Sequence, residues 1–515
     1  MIETSAEWNA CYEKRLLPET FIKLQYGITE PGLNAAATLT GTYAESFSTT
    51  ADLANEQIKP IVAYANLERN SWRLDGSRAM YAVPPVNPGF TSSKLSGSAS
   101  TFSYYPKVTI TFSEVHTVLI PGITITWSNS FNEFAVKFRI QVYNGTTTVL
   151  DKTISDNNSV VSVIEQDIQN YNKIVITVMS WCQPYRRARI ESIYLGILQI
   201  YTKSDLLEYK HEQTVDLLSA SLPKNSITFK LDNSDNRWNP DSPTGVYKYL
   251  QEMQKIQAEY GMKVANGIEY IHGGTFWLTE WSTTNNKLEA SFTARDAIAW
   301  MSDDYTGTRS GTLYEIATAA FVQAALENLS DGSPSYQIDE SLQNTSVNFS
   351  EDTSSYSIAE ILQMVAHAGQ CLLYQNSQGV MCISHINDNV NSYTIGNFNS
   401  FSEPEITLSK PLKAVSVAYG QNTEIIAVGS TGVTQTVDSP LILTQALANA
   451  VGTHAAEILK GRKTVKGEYR ANPCLEAGDA VHVQNRFATN DARITSITYS
   501  TTGGGFTGKY EGRIL

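Results

Sequence analysis

Short runs in which apolar and polar residues alternate recur along most of the chain, and they predict β-strands. The clearest run spans Phe134 to Tyr143, where every second side chain is a large apolar one. Such a strand buries one face and leaves the other largely in water. Asn144-Gly145 follows at once and predicts a two-residue hairpin, because both positions tolerate a positive φ. Similar runs lie at Val108–Phe112, Gly122–Trp127, Lys173–Ser180 and Ile193–Tyr201. Together these runs predict an antiparallel β-sandwich over residues 60–203.

Four helices are predicted within this β background. They begin at Thr312 and Ser357 and span Val246–Tyr260 and Thr444–Lys460. The first two open with a capping box, in which a hydroxyl and the glutamate three residues later satisfy each other's backbone N–H groups. Each of the other two is followed by a glycine, which commonly ends a helix.

The length and composition of the chain predict several folded domains. At 515 residues and 56.8 kDa, the chain corresponds to about three or four domains of roughly 150 residues each. Apolar residues make up 42% and charged residues only 17%, a balance that excludes a disordered chain. Polar stretches at 344–356 and 387–404 are typical of loops between packed units. We therefore place domain edges near residues 60, 203, 303 and 408.

Charge and targeting signals narrow the classes of partner. The excess of 51 acidic over 38 basic residues gives a net charge of −13, which disfavours binding of nucleic acid by a basic surface. No run of roughly 18 apolar residues is present, so no transmembrane helix is predicted. Residues 1–24 lack the basic start and apolar core of a secretory signal and predict synthesis in a cytoplasm. The five cysteines are odd in number and scattered, which favours free thiols over a disulfide framework.

Sequence motifs of catalytic and metal sites are not found. There is no nucleophile elbow, zinc-protease helix or phosphate-binding loop, and the seven histidines share no short motif with cysteines or carboxylates. We therefore predict that the protein is not an enzyme and that it has no catalytic residue, metal ligand or cofactor. Asp232–Asp241 resembles the first half of a calcium loop but lacks its central glycine and closing glutamate, which favours an Asp/Asn turn. Glycoside hydrolysis requires two carboxylic acid side chains that lie close together in space but not in sequence. This activity therefore stays an open alternative.

Two groups of residues in the predicted sandwich suggest binding. The basic cluster of Arg186, Arg187 and Arg189 fits an anion site and a solvated strand edge equally well. Four aromatic residues are candidate glycan contacts, because aromatic rings present flat apolar faces on which a sugar can stack: Tyr104, Tyr105, Trp127 and Trp181. The alternative is that these aromatic residues fill the core or an interface, as such residues often do in sandwiches.

Several motifs, taken in order, extend over nearly the whole chain: Asn66–Ser77, Phe229–Asp235, Trp238–Pro240, Gly273–Trp281, Phe292–Asp296 and Gly508–Arg513. In this order and spacing they resemble the tail-hub and tail-associated baseplate proteins of bacteriophages and prophages of Gram-positive bacteria. The resemblance implies a trimer at the tip of the tail tube, in which each chain contributes two related β-barrels. Three chains then present six similar faces to the hexameric distal-tail ring.

The resemblance also implies the fold class, which is mainly β with a minor α+β part. It implies a division of the chain into four units as well. The implied units are a first hub barrel from residues 1–59 and 204–302, an inserted β-sandwich at 60–203, an α+β connecting domain at 303–407 and a second hub barrel at 408–515. The sandwich resembles galactose-binding jelly rolls. It would therefore either contact host cell-wall carbohydrate or only widen the baseplate and hold neighbouring proteins.

On this resemblance we expect a structural tail-hub subunit located at the virion tail tip, in the baseplate, and assembled in the host bacterial cytoplasm. Its expected partners are two further copies of itself, the distal tail protein and other baseplate or tail proteins, with DNA only in transit through the lumen. A negative lumen would let DNA slide without sticking. The alternatives are a host cell-surface glycan-binding protein that acts through the sandwich, and a cell-wall hydrolase.

Overall fold

The computed structural model of the protein describes the whole chain except residues 13, 15–17, 35, 55–67, 70–88, 243–244, 266, 285–287, 325–335, 350–354, 387–389, 392, 397 and 502–504. The predicted fold class, mainly β with a minor α content, is confirmed. The α-helices in the described part are α1 (Ala6–Tyr12), α2 (Leu313–Gln323), α3 (Ile358–Ala368) and α4 (Gln445–Leu459). Short 3-10 helices lie at Thr50–Asp52, Val246–Tyr249, Ala297–Trp300 and Glu340–Asn344.

The strands are β1 (Thr20–Ile28), β2 (Thr38–Thr42), β3 (Phe90–Leu95), β4 (Lys107–His116), β5 (Ile120–Thr126), β6 (Ala135–Asn144), β7 (Thr147–Ile154), β8 (Val161–Ile168), β9 (Tyr171–Trp181), β10 (Arg187–Ile190), β11 (Ser192–Tyr194), β12 (Ile197–Thr202), β13 (Leu206–Thr214), β14 (Lys224–Asp232), β15 (Lys255–Val264), β16 (Gly267–Thr284), β17 (Glu289–Arg295), β18 (Ser310–Thr312), β19 (Tyr336–Ile338), β20 (Ser346–Asn348), β21 (Cys371–Gln375), β22 (Met381–His385), β23 (Thr394–Ile395), β24 (Glu405–Leu408), β25 (Leu412–Tyr419), β26 (Asn422–Ala427), β27 (Val433–Val437), β28 (Lys463–Arg470), β29 (Ala480–Gln484), β30 (Thr489–Thr501) and β31 (Thr507–Ile514).

One long sheet of thirteen strands forms the body of the protein. Its order is β12-β1-β15-β16-β17-β14-β13-β30-β31-β28-β24, with β29 attached to β30 and β23 attached to β29. We call the strands from β12 to β13 in this order the first half, and β30, β31, β28, β24, β29 and β23 the second half. The inward apolar side chains of both halves belong to one hydrophobic core.

The first half curls around its core. Tyr26 of β1 packs edge-on against Phe292 of β17 with ring centroids 6.1 Å apart, although β15 and β16 lie between these strands in the sheet. The hydroxyls of Tyr209 on β13 and Tyr260 on β15 lie 2.7 Å apart, again across strands that are not neighbours. Such contacts require a strongly bent sheet whose concave face is filled by side chains.

The two halves join through antiparallel pairing of β13 with β30, in a register that runs from Tyr209 opposite Thr501 to Thr214 opposite Ser496. On its other side β13 pairs with β14, the next strand in sequence, and β30 pairs with β31, its own next strand. The local order β14-β13-β30-β31 therefore places two similar hairpins edge to edge. One chain thus carries two sheet units side by side.

A β-sandwich occupies the region between β1 and β12 in sequence. A five-stranded sheet in the order β2-β4-β9-β6-β7 faces a three-stranded sheet, β11-β5-β8, and the pair β10-β3. Trp127, Phe138 and Trp181 fill the space between the sheets, together with aliphatic residues from both faces. The predicted hairpin is confirmed, but its turn lies one residue later: Asn144 ends β6 and pairs with Thr147, so the two turn residues are Gly145 and Thr146, and Gly145 has a φ of 59°.

The third unit packs helices against two small sheets. Helices α2, α3 and α4 share one core with the hairpin β21–β22 and with the sheet β26-β25-β27. Both predicted capping boxes are confirmed, with Thr312 and Ser357 accepting from the backbone N–H of Glu315 and Glu360, respectively. Helix α4 begins after the N-cap Thr444, close to the predicted start.

The helix predicted at Val246–Tyr260 is wrong. A 3-10 turn occupies Val246–Tyr249, and strand β15 begins at Lys255. Within β15, Ile256, Ala258, Tyr260 and Met262 all point into the core. Because every second residue is apolar, a strand buries all four side chains in the core of the long sheet. This burial outweighs the preference for a helix that ends at Gly261.

Several strands pair outside the units to which the sequence assigned them. Strand β2, expected in the first barrel, pairs with β4 in the sandwich, whereas β12, expected in the sandwich, pairs with β1 in the long sheet. Strands β23 and β24, expected in the connecting domain, join the second half, and β25–β27 with α4, expected in the second barrel, pack in the helical unit. Unit boundaries therefore follow long-range strand pairing rather than polar stretches of sequence.

Three remaining expectations concern small features. All five cysteines are free thiols, as predicted. No helix in the part of the chain that the structure describes is long and apolar enough to cross a membrane. Of the motif Asn66–Ser77, Glu68 and Arg69 lie among the described residues, and the rest lies outside them.

Candidate functional site

Trp127 and Trp181, two of the four candidate glycan contacts, are core residues, so this part of the prediction is wrong. Both are fully buried and pack nearly perpendicular to each other, with ring centroids 6.0 Å apart. The indole of Trp127 donates to the Ser162 hydroxyl at 2.7 Å, and the indole of Trp181 donates to a carboxylate oxygen of Glu133 at 2.9 Å. Buried indole N–H groups need such partners. Their rings therefore stabilise the sandwich and present no face to a sugar.

Tyr104 and Tyr105, the other two candidates, lie on the surface of the sandwich in the loop that leads into β4, and both are exposed. Tyr43, which follows β2, places its ring 5.8 Å from that of Tyr104 at an angle of 57°. The ammonium group of Lys94 lies 5.8 Å from the centre of the Tyr104 ring. Register explains this neighbourhood, because Thr42 at the end of β2 pairs with Lys107 at the start of β4. Tyr43 and Lys94 carried no signal in sequence.

The basic cluster of the sandwich is neither a solvated strand edge nor an open anion site, so both interpretations of it were wrong. Arg186 and Arg189 are buried together with Glu68 and Glu133. Arg186 Nε lies 3.0 Å from Glu133 Oε1, and Arg189 Nη1 lies 3.7 Å from Glu133 Oε2. Arg189 also pairs with Glu68.

Arg187 extends this network toward the surface by pairing with Glu45 and lying 3.7 Å from Glu68. Three arginines thus face three glutamates, and the formal charges cancel. Buried charges persist only where they are paired in this way. We call these six residues the arginine–glutamate network. It connects β10 and Arg186, which directly precedes it, with Glu133 and with two glutamates more than one hundred positions earlier in the chain, which explains why the sequence did not reveal it.

An aromatic cluster fills the junction between the two halves of the long sheet. The Tyr260 ring contacts Tyr209 and His211 of the first half and Tyr499 and Phe506 of the second, with its centroid 5.2 Å from that of Phe506. Gly273, on the neighbouring strand β16, leaves space for this ring, because a Cβ at that position would lie 2.2 Å from Tyr260 Cε2. The motif Gly273–Trp281 therefore has a local packing function.

Polar groups of the same cluster form a chain of hydrogen bonds. His211 Nε2 lies 2.8 Å from the amide oxygen of Asn225, which accepts only, and 3.2 Å from the amide nitrogen of Gln213, which donates only; the shorter contact assigns the proton to Nε2. His211 Nδ1 then accepts from the Tyr260 hydroxyl at 2.7 Å, and that oxygen accepts from Tyr209 at 2.7 Å. Burial lowers the pKa of His211 to about 4, so the imidazole is neutral at physiological pH. His211 is thus a packed imidazole.

The sandwich is attached to the first half by a polar contact. Asp167 of β8 lies 3.1 Å from the ammonium of Lys248 and accepts a hydrogen bond from the Tyr249 hydroxyl. Burial alone would raise the pKa of Asp167, but these two donors lower it below its usual value. Near the same boundary the Thr124 hydroxyl donates to the carbonyl of Gly196 and accepts from the backbone N–H of Leu198.

A cavity of about 390 Å³ lies where both halves and the helical unit meet, lined among others by Asp296, Tyr374 and Glu476. Burial raises the pKa of Asp296 to about 8. Among the described residues no group of three or more histidine, cysteine or acidic side chains is placed to hold a metal ion. The Asp232–Asp241 segment is a turn, in which Asn233 accepts from the backbone N–H of the buried Trp238 at 2.9 Å.

Comparison with known proteins finds solved structures of similar fold. No protein-family model matches the chain, and no curated protein matches it. A 43 kDa tail protein of prophage MuSo2 from Shewanella oneidensis is 12% identical, with a TM-score of 0.44, over 61% of this chain and 94% of that one. A tail protein from Neisseria meningitidis is 10% identical, with a TM-score of 0.46, over 62% and 94%. A family 32 carbohydrate-binding module from Clostridium perfringens NanJ, solved with galactose, is 16% identical, with a TM-score of 0.21, over 33% and 96%.

The structural neighbours include phage and prophage tail proteins, the class that the motifs of the sequence resemble. At these identities the likeness is one of fold. A Gram-positive host stays a prediction.

Proposed function

We propose that the chain is a structural tail-tip hub subunit of a bacteriophage, which acts as a homotrimer that closes or caps the tail tube. The observation that carries this proposal is the junction of β13 with β30, which places two similar hairpins edge to edge within one chain. A protein with three copies can match a sixfold partner only if each copy offers two similar faces. Two sheet units in one chain meet that requirement.

The proposed partners follow from this geometry. The trimer docks its six sheet units on the hexameric distal tail ring, and other baseplate proteins bind around it. Three copies carry three times the net charge of −13. Like charges along a channel repel DNA phosphates, so DNA would pass through the lumen without binding. Acidic side chains facing the channel in an electron-microscopy map of the assembled ring would support this part, and a neutral or basic lining would exclude it.

The mass of the purified full-length chain in solution tests the proposal. We expect multi-angle light scattering to give a particle of three times 56.8 kDa, with the trimer fraction rising with protein concentration. Negative-stain images of that particle should show a ring with an axial channel. A chain that stays monomeric at every concentration and does not associate with tail tubes would contradict the proposal.

A second candidate function, binding of host cell-wall carbohydrate, is favoured by the exposed pair of Tyr43 and Tyr104. Two aromatic faces at an angle, with the Lys94 ammonium beside them, form a platform on which a sugar ring can stack. We expect glycan arrays with the full-length chain to detect binding that Tyr104→Ala weakens at least about tenfold, or roughly 1.4 kcal/mol. Val163→Ala, an exposed change on the opposite sheet of the sandwich, is the matched control. No sugar binding by the unmodified chain would remove this candidate.

A further inference from the structure

The cavity where the two halves and the helical unit meet has walls from three distant parts of the chain. Gln213 of β13 and Asn225 of β14 line it from the first half. Tyr374 and Ser384 of the hairpin β21–β22 line it from the helical unit, and residues 476–479, which lead into β29, line it from the second half. Its volume of about 390 Å³ falls within the range of small-molecule sites, roughly 300–1,000 Å³. The cavity is therefore large enough to hold a small organic ligand.

Asp296, at the end of the motif Phe292–Asp296, lines this cavity with a carboxyl group that lacks a donor. The residue is only 3% exposed, and its Oδ2 atom has no hydrogen-bond partner among the described residues. The nearby Gln375 is engaged elsewhere, because its side chain donates to the Thr275 carbonyl at 2.7 Å and accepts from the Ala297 backbone N–H at 2.9 Å. A buried polar atom without a partner costs free energy, so this position favours a ligand that donates a hydrogen bond.

The other charged groups around the cavity already have partners of opposite charge. The carboxylates of Glu476 and Asp479 lie 3.5 Å and 2.5 Å, respectively, from the Met1 ammonium group. The Lys224 ammonium group pairs with a glutamate of β13 at 3.3 Å. Asp296 is thus the acidic residue at this cavity that pairs with no cation in the part of the chain that the structure describes. The local charge therefore favours a cationic ligand.

We propose that the cavity binds a small organic cation and that Asp296 accepts a hydrogen bond from the primary ammonium group of this ligand. An ammonium group has three donors and no acceptor, so it matches a buried oxygen that lacks a donor. Val215, Leu372 and Ile386 line the cavity with apolar side chains, on which a short carbon chain can pack. A metal ion fits less well, because no group of three or more histidine, cysteine or acidic side chains within the described ranges is placed to bind one.

The position of the cavity gives the bound cation a role in the fold. Gln213 and Asn225, which line the cavity, also contact His211 of the aromatic cluster at 3.2 Å and 2.8 Å, respectively. Gln213 lies opposite Ile497 in the pairing of β13 with β30. A ligand in the cavity therefore contacts both halves and the helical unit next to their junction. Because a ligand that binds the folded state stabilises it by mass action, the cation stabilises this arrangement of the three units.

Binding of butylammonium to the full-length chain at pH 8.5 tests the site. We expect saturation-transfer NMR to give a saturable signal for butylammonium and none for butyrate, which has a similar carbon chain and the opposite charge. Asp296→Asn keeps the shape of the side chain but removes its charge. We expect it to raise the dissociation constant at least about tenfold, because hydrogen bonds to charged groups are the stronger ones. Asp235→Asn, the same change at an exposed aspartate in the turn after β14, is the matched control and should leave binding unchanged.

The dependence of binding on pH separates the charge of Asp296 from its shape. Burial raises the pKa of Asp296 to about 8, although the Ile298 backbone N–H and Arg295 act in the opposite direction. An ammonium group favours the ionised carboxylate, so the affinity for butylammonium should rise at least about fivefold from pH 6.5 to pH 8.5. The other titratable groups that line the cavity are Met1, Lys224, Tyr374, His385, Glu476 and Asp479. Their contribution remains in Asp296→Asn, so the difference between the two chains belongs to Asp296.

A second variant keeps the test independent of how well Asp296→Asn folds. Ser384→Leu adds bulk inside the cavity and leaves Asp296 in place, so butylammonium should no longer bind. Unchanged affinity in either variant would show that the cation binds elsewhere. An unmodified chain that binds butyrate equally well, or that binds neither probe, would refute the site. One chain forms the whole cavity, so these outcomes leave the proposed trimeric function untouched.

Discussion

Replacing Glu133 with alanine is expected to lower the free energy of unfolding of the sandwich by about 3–5 kcal/mol. Glu133 is buried and pairs with two arginines, Arg186 and Arg189, and it accepts the indole hydrogen bond of Trp181. Its removal leaves two buried guanidinium groups with one carboxylate fewer. The cost of an uncompensated buried charge, rather than the loss of attraction, makes this effect large.

Two comparisons isolate the charge from the shape of the side chain. Glu133→Gln keeps the size and an acceptor for Trp181 but removes the negative charge, so most of the destabilisation should remain. Asp151→Ala removes the partner of Arg139 on the exposed face of β6 and β7, where solvent screens the ion pair, and should leave the unfolding transition unchanged.

Because the chain contains several units, the unfolding of the sandwich must be followed on its own. Tryptophan fluorescence cannot do this, because Trp127 and Trp181 are two of eight tryptophans; hydrogen exchange of the β6 and β9 amides in urea, which are paired inside the sandwich, follows its transition. Unchanged exchange of these amides for Glu133→Ala would show that the arginine–glutamate network contributes nothing to stability.

The network also shows why part of the structure could not be predicted. Arg189 pairs with Glu68, and the two are separated by 121 positions. Periodicity and motif spacing report on neighbours in sequence, whereas this pair forms only when two distant segments of the chain meet. The same applies to Tyr43 and Tyr104, which meet only because β2 pairs with β4.

Features with local causes were predicted well. The capping boxes at Thr312 and Ser357 involve residues three positions apart, and both helices begin there. The hairpin between β6 and β7 was also predicted from adjacent residues, although its turn lies one residue later, at Gly145-Thr146. The helix expected at Val246–Tyr260 failed because its apolar residues also fit a period of two, and tertiary burial decided between the two periods.

The prediction that the two tryptophans contact glycans was wrong, because residue type alone does not report burial. Trp127 and Trp181 are aromatic residues in a sandwich, and sequence gives no way to separate a buried ring from an exposed one when both lie on strands. Tyr104 and Tyr105 precede β4 in a loop, where exposure is the usual outcome.

Tyr260→Ala is expected to lower the free energy of unfolding of the long sheet by about 3–5 kcal/mol, the range for truncation of large buried aromatic side chains. The Tyr260 ring is buried and contacts residues of both halves, including His211 on one side and Phe506 on the other. Alanine leaves a cavity at the junction and removes the hydroxyl that links Tyr209 with His211.

Tyr260→Phe separates packing from hydrogen bonding. The ring stays, but Tyr209 loses its acceptor and His211 Nδ1 its donor, so we expect a smaller loss of about 1–3 kcal/mol. Tyr105→Ala, an exposed tyrosine far from the junction, is the control and should leave unfolding of the sheet unchanged.

Hydrogen exchange of the β13 and β30 amides is the decisive measurement, because these two strands are paired across the junction. If the ring of Tyr260 couples the halves, Tyr260→Ala speeds exchange in both strands and also reduces trimer formation, since the two sheet units lose their fixed spacing. Exchange that stays as slow as in the unmodified chain would mean that backbone pairing alone holds the halves together. The trimer would then depend on the contacts between copies and not on the aromatic cluster.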